Sequence, residues 1–93
     1  MYRIRPHTIS RAGELGVVVV PSFREGKKID VLTRDGHYIT SVGALGYDDF
    51  PSYIEEHGIE YAMQRRHLYM LRHNRDMKKV GSKGWWAFQL LWN

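Results

Sequence analysis

The residues best suited to chemistry lie in one short segment, residues 65–73, whose sequence is RRHLYMLRH. Arginine and histidine side chains bind phosphate and carboxylate groups, and here they are interleaved with large apolar side chains. A helix of 3.6 residues per turn would divide these cations into two sets. One set falls on the apolar stripe of the helix, and the other faces away from it.

Arg66 and His73 belong to the inward set. At about 100° per residue they fall within a stripe about 120° wide. The stripe consists of Ile59, Ala62, Met63, Arg66, Tyr69, Met70 and His73. Because an inward-facing guanidinium is rarely left unpaired, the sequence predicts a structural ion pair of Asp48 or Asp49 with Arg66 or His73. The first alternative is that these two basic residues bind an anion or a phosphate in a groove, and the second is a catalytic role.

The outward set forms the candidate binding surface for nucleic acid or another anion. It consists of Arg65, Arg72, Arg75, Lys78 and Lys79. Few acids interrupt this set, and its spacing along a helix matches what a phosphate backbone can meet. The sequence therefore predicts contact with nucleic acid or an acidic protein surface. The alternative is an ordinary solvated helix face.

The aromatic tail WWAFQLLW, residues 85–92, carries the largest apolar surface of the chain. In a small domain such a segment mainly completes the core. If it is helical, Trp85, Phe88 and Trp92 share one face and Trp86 lies on the other. Trp86 is then the aromatic residue expected to stack on a base or to touch another partner.

Motifs for catalysis or metal binding are missing from the sequence. There is no cysteine, His67 and His73 are six positions apart, and neither HxxxH nor HExxH occurs. The serines lie in no nucleophile elbow, and no phosphate-binding GxxxxGK motif is present. The adjacent carboxylates of Asp48 and Asp49 could hold a divalent ion, but they are better explained as a helix cap. We therefore expect no enzyme activity, no metal and no cofactor.

Length and composition restrict the class of protein further. The chain has 93 residues, 43% of them apolar, and a formal net charge of +4, which favours polyanions or acidic partners. Residues 47–60 contain five acids and no Lys or Arg, whereas residues 61–83 contain seven Lys or Arg and one acid. The lack of cysteine and of a long apolar run predicts a protein of a cell interior, neither secreted nor in a membrane.

The order of local patterns predicts an α+β fold. Residues 1–16 have no sustained period and are expected to form an arm or an edge strand. Three strands follow, the first of about five residues ending at Pro21 and the others at residues 27–33 and 37–43, with an Asp-Gly turn between the last two. The remaining segments predict a short helix capped by Asp49, a long helix over about residues 59–77 and an aromatic tail that is a helix or a strand. Residues 17–93 are expected to form a single domain.

The same segments resemble a family of small proteins, without established chemistry, encoded by large DNA viruses of algae and protists. The family pattern is a short strand pair, then G-Y-x-D followed by Tyr or Phe, then R-R-x-x-Y-x-x-R-H, and finally a glycine turn with an aromatic stretch ending in L-L-W. The matching residues are Gly46, Tyr47, Asp49, Phe50, Arg65, Arg66, Tyr69, Arg72, His73, Gly81, Gly84, Ala87, Leu90, Leu91 and Trp92. The resemblance covers residues 17–93. Trp85 and Trp86 depart from the smaller or phenolic aromatics that are usual there.

This resemblance implies a viral setting, in the virion or the virus factory, and a non-enzymatic role. Together with the charge pattern it predicts a viral structural or virion-associated protein whose basic helix binds nucleic acid or an acidic surface. The alternative is a minor capsid or scaffold protein that acts only through contacts with other virion proteins. The sequence does not specify the oligomeric state.

Overall fold

The computed structural model describes residues 2–93 and confirms the predicted α+β class. Within those residues, three strands and four helices follow in the order α1 (Pro6–Glu14), β1 (Val18–Pro21), β2 (Lys27–Leu32), β3 (Tyr38–Ala44), α2 (Phe50–His57), α3 (Ile59–Arg72) and α4 (Lys83–Leu91). The chain forms two compact units, one that ends at Gly46 and one that spans Tyr47–Asn93. The predicted single domain of residues 17–93 stays a prediction.

The first unit contains an antiparallel sheet in the order β1-β2-β3. Strand β2 is central and supplies Ile29 and Val31, both with no exposed surface, while Val42 of β3 lies opposite Ile29 and is also fully buried. The β2–β3 connection is the predicted turn, in which Gly36 has φ 92°, a value that favours glycine. The alternation of apolar residues in the sequence therefore identified the core face of the sheet.

Residues 6–14 form helix α1 in place of the expected arm or edge strand. Pro6 stands at the start of the helix, where its missing N–H group costs no hydrogen bond. Thr8 and Ala12 are four positions apart and both are buried, so one narrow face of α1 is covered. That face is too short and too polar to produce an apolar helical period in the sequence.

In the second unit, the predicted cap of α2 is confirmed. Asp49 has an extended backbone, and its carboxylate accepts a hydrogen bond from the Ser52 backbone N–H at 3.1 Å. Pro51 occupies the first turn, and Gly58, with φ 88°, separates α2 from α3. The two helices therefore follow each other without a loop.

Helix α3 ends at Arg72 and not near Met77 as predicted, and residues 73–82 form turns. The tail forms helix α4, one of the two predicted alternatives, and Ser82 caps it by accepting the Trp85 N–H at 3.2 Å. Phe88, within this helix, is 8% exposed, and Trp92, directly after its last residue, is 9% exposed. The tail is therefore part of the core of the second unit.

Stacked rings connect α3 to the tail. The rings of Tyr69 and Trp92 lie with centroids 4.3 Å apart and planes 12° apart, and His73 stacks on Tyr69 with centroids also 4.3 Å apart. Burial raises the pKa of Tyr69, the charge of Asp76 raises it further and that of Arg72 opposes the rise. The phenol therefore stays neutral, as a ring inside a stack must.

Candidate nucleic-acid interface

Four of the five predicted outward cations lie close together at the end of α3 and in the turns that follow. We define residues 72–79 as the basic segment. Its cations are Arg72, Arg75, Lys78 and Lys79, all of them exposed. Because α3 stops at Arg72, three of these side chains extend from a looped backbone and not from a helix face. The predicted phosphate-binding stripe is therefore a short exposed loop.

The backbone of this loop is held by contacts with the start of α4. The hydroxyl of Ser82 donates to the carbonyl oxygen of Asp76 at 3.2 Å, and the Ser82 N–H donates to the carbonyl oxygen of Lys79 at 3.0 Å. Gly84 packs directly against Asp76, since a Cβ at position 84 would overlap the Asp76 carbonyl oxygen and lie 2.7 Å from the Asp76 Cβ. The cations therefore extend from a fixed backbone, which lowers the entropy lost on binding a ligand.

The cations of the basic segment have no internal counter-charge. Across residues 2–93, none of the four takes part in an ion pair or a side-chain hydrogen bond. The one acid within the segment, Asp76, lies 3.2 Å from Nδ1 of His73 instead. The positive charge of the segment is therefore directed to solvent.

Arg65, the fifth predicted outward cation, differs from the other four. It is half-buried, and its guanidinium lies 5.5 Å from the centroid of the Tyr53 ring. This cation–π contact joins α3 to α2 and gives Arg65 a structural role. It lies seven residues before the basic segment begins.

Trp86 is half-buried, not fully exposed as its predicted stacking role would favour. Its ring meets the edge of Trp85, with centroids 4.9 Å apart and planes at 81°. Both rings lie in the first turns of α4, directly after the Gly84 contact with Asp76. At about 100° per residue, Trp86 lies about 160° from Gly84 around α4, so its ring faces away from the Asp76 contact.

The inward cations have partners other than the predicted carboxylates. Nε of Arg66 donates to the carbonyl oxygen of Trp92 at 2.7 Å, and Nη2 donates to Oδ1 of Asn93 at 3.2 Å. The Arg66 guanidinium also lies 5.5 Å from the centroid of Phe88. His73 contacts Asp76. The predicted ion pair of Asp48 or Asp49 with Arg66 or His73 is therefore not formed: Arg66 binds residues 92 and 93, and His73 pairs with Asp76 at the surface.

Asp48 and Asp49 have different environments although they are adjacent. Asp48 is exposed, whereas Asp49 has no exposed surface and accepts from both the N–H and the hydroxyl of Ser52. Within residues 2–93, no group of three or more His, Cys, Asp or Glu side chains is arranged to hold a metal ion.

Sequence reasoning missed a polar network on the sheet. Asp30 is 6% exposed, and its carboxylate accepts hydrogen bonds from the hydroxyls of Ser22 at 2.6 Å and Ser41 at 2.5 Å. The Tyr38 hydroxyl lies 2.8 Å from Ser41 Oγ and accepts from Arg24 at 3.3 Å. The available signal was a charged residue between two core residues of a central strand. Every group of this network is paired, so its role is structural.

None of the helices in residues 2–93 is long and apolar enough to cross a membrane. Searches of protein-family models, curated proteins and solved structures found no match for this chain.

Proposed function

We propose that this protein is a non-enzymatic nucleic-acid-binding protein whose basic segment contacts the phosphate backbone. The observation that carries the proposal is the group of four exposed cations, at positions 72, 75, 78 and 79, without an internal counter-charge. Phosphates release condensed counterions when such side chains neutralise them, which is the main source of affinity independent of nucleotide sequence. The same four side chains have no structural contact that explains their charge.

A polyanion with a regular charge spacing fits this segment better than a single phosphate does. The guanidinium and ammonium groups are spread over eight residues, and no buried donor converges on one point among them. Arginine and lysine in such an open arrangement make several weak contacts to successive phosphates. The rings of Trp85 and Trp86, half-buried in the first turn of α4, supply aromatic surface for the bases of a single strand.

The viral and virion-associated setting implied by the sequence resemblance is part of this proposal. In that setting the protein would hold viral nucleic acid in the particle or the virus factory. The alternative is a scaffold or minor capsid protein that acts only through protein contacts. The two functions differ in one measurable property, the salt dependence of nucleic-acid binding.

The test is the affinity for a labelled duplex and a labelled single strand of equal length, measured at several salt concentrations. The variant Arg72→Gln, Arg75→Gln, Lys78→Gln, Lys79→Gln removes the charge of the basic segment. Each phosphate contact that it loses lowers the slope of log affinity against log salt by about 0.9 for duplex DNA and about 0.7 for a single strand. We expect the variant to lose most of the salt slope.

The matched control compares two double variants that each remove two charges. Lys27→Gln with Arg34→Gln removes them from the first unit, and Arg75→Gln with Lys79→Gln removes them from the basic segment. If binding depends only on net charge, the two variants lose the same affinity, and the assignment to the basic segment is wrong. If the parent protein binds neither probe at low salt, the proposal is overturned in favour of the scaffold function.

A further inference from the structure

Helix α3 has a second exposed face that the proposed function does not use. Three large apolar side chains stand on it, Met63, Leu68 and Leu71, with 48%, 45% and 64% of their surface exposed. Met63, Leu68, Gln64 and His67 line a shallow groove of about 470 Å³. Large apolar residues that cluster on one helix face mark an interaction surface.

This face is opposite the one that α3 buries. At about 100° per residue, Met63, His67 and Leu71 lie within about 80° of one another, whereas the buried Ala62 and Tyr69 lie on the other side. Met63 was expected on the buried stripe, and its exposure shows that this helix has two apolar faces. One face packs within the second unit, and the other, which we call the outer face, has no cover.

Charge is distributed unequally along the outer face. Glu60 is exposed in the first turn of α3 and makes no ion pair within residues 2–93, while the basic segment follows the last turn. His67 lies midway between Met63 and Leu71 in the sequence. Helix α3 therefore has an acidic start and is followed by the basic segment, and the apolar outer face lies between these two charged regions.

We propose that two copies of the chain pair through the outer faces of α3 in antiparallel orientation. Such a pairing is self-complementary about a two-fold axis at His67, which brings Met63 opposite Leu71 of the partner copy. It also places Glu60 near the partner's basic segment. A parallel pairing would instead bring each end against an end of like charge, which is unfavourable. The occupant of the outer face is therefore a second copy.

The interface formed by one pair of four-turn helices is small. It lies at the low end of specific protein interfaces, so we expect a dimer with a Kd on the order of 10 μM. This inference goes beyond nucleic-acid binding and does not rest on it, because the dimer forms without nucleic acid. Its test measures molecular mass with no nucleic acid present.

The first experiment uses paired charges and analytical ultracentrifugation of the full chain over a range of concentrations. The two single variants are Met63→Glu and Leu71→Lys. Each introduces a charge into the apolar contact at two symmetry-related positions of the dimer, so each raises Kd by about tenfold or more. The chain with both substitutions recovers dimerisation, because each new carboxylate faces the partner's new ammonium. Phe23→Glu, a residue 90% exposed in the first unit, is the control and leaves Kd unchanged.

The second experiment uses the absence of cysteine from the chain. His67→Cys places one thiol per copy at the two-fold axis, where the two Cβ atoms come close enough for a disulfide. Mild oxidation gives a covalent dimer rapidly, whereas Val80→Cys, exposed and off the outer face, gives one only slowly. This readout does not depend on the folding of the charge variants.

Three results would overturn the proposal. If the parent chain stays monomeric at concentrations well above the expected Kd, the partner of the outer face is a different protein. A dimer that neither single charge variant weakens uses another surface. Single variants that dissociate without recovery in the double variant, with equal cross-linking at positions 67 and 80, show that the pairing is not antiparallel about His67.

Discussion

The two units of the protein treat charged side chains in opposite ways. In the first unit, the carboxylate of Asp30 is almost fully buried in the sheet, and Ser22, Ser41 and the Phe23 backbone amide all donate to it. In the second unit, the cations of the basic segment are exposed and have no counter-charge within residues 2–93. A charge with a complete set of partners stabilises the fold, and a charge without one remains available to a ligand.

The comparison gives a rule for locating function in this chain. Removing a charge of the first kind should cost stability, and removing one of the second kind should cost only binding. Arg66 tests the rule inside the second unit, because it belongs to the structural kind although it lies in the same basic helix.

The largest effect is expected for Asp30→Ala. The substitution leaves the hydroxyls of Ser22 and Ser41 and the Phe23 amide without their acceptor, so the free energy of unfolding should fall by about 3 kcal/mol. Chemical denaturation measures this change. Asp48→Ala, which removes an exposed carboxylate, is the control and should change it by less than about 0.5 kcal/mol. Equal losses for the two variants would mean that the network contributes nothing specific.

Gly84→Ala should destabilise the second unit by about 2 kcal/mol, because the added Cβ overlaps the backbone of Asp76 and forces the loop to move. Gly13→Ala is the matched control, since Gly13 is also helical and has nothing within 4 Å of an added Cβ. That control should be neutral or slightly stabilising. If Gly84→Ala is equally harmless, the contact does not hold the basic segment in place.

The elements with strong local signals could be predicted from the sequence. The β-branched run, the Asp-Gly turn and the Asp49 cap each specify a structure over a few residues, and all three form as predicted. Helix α1 was missed because its buried face consists only of Thr8 and Ala12, which give no apolar period. Local sequence is therefore informative only where the burial pattern is long enough to be seen.

The details of the candidate site required tertiary contacts. Helix α3 ends at Arg72, and Asp76 in the following turns contacts Ser82 and Gly84; no pattern in residues 65–79 indicates those contacts. Arg66 was assigned a carboxylate partner, but a backbone carbonyl satisfies it. Carbonyl oxygens are present at every residue, so the sequence cannot indicate which one a guanidinium will find.

Arg66→Met should lower the free energy of unfolding by about 1.5 kcal/mol, because it removes the charged hydrogen bond to the Trp92 carbonyl while keeping much of the apolar stem. Arg65→Met, the matched neighbour, loses only a half-exposed contact with the Tyr53 ring and should cost about 0.5 kcal/mol. A larger loss for Arg65 than for Arg66 would contradict the assignment of Arg66 as the side chain that holds the chain end.

The pH dependence of stability should contain a contribution from Asp30. Burial acts to raise the pKa of this carboxyl, but hydrogen bonds from Ser22, Ser41 and the Phe23 amide, together with the charge of Arg24, lower it below its usual 3.8. A lowered folded-state pKa contributes stability above the unfolded value, which is lost as the pH falls through the folded value. Below about pH 4 the melting temperature should therefore fall less steeply in Asp30→Asn than in the parent. If the melting temperatures of the two proteins fall equally with pH, Asp30 contributes nothing to the loss of stability in acid.

The smallest effect on stability is expected for the basic segment itself. Replacing Arg72, Arg75, Lys78 or Lys79 singly with Gln should change the free energy of unfolding by no more than about 0.5 kcal/mol, because each side chain is exposed and makes no ion pair. Because each substitution relieves repulsion among the four cations, we expect the change to be a slight gain in stability. Denaturation curves of the four variants, measured beside that of Arg66→Met, separate the two kinds of charge within one stretch of chain. The threshold is a loss of about 1.5 kcal/mol, the size expected for Arg66. A Gln variant that loses this much or more would show that its cation has a structural partner. The phosphate contact would then be assigned to the remaining three cations.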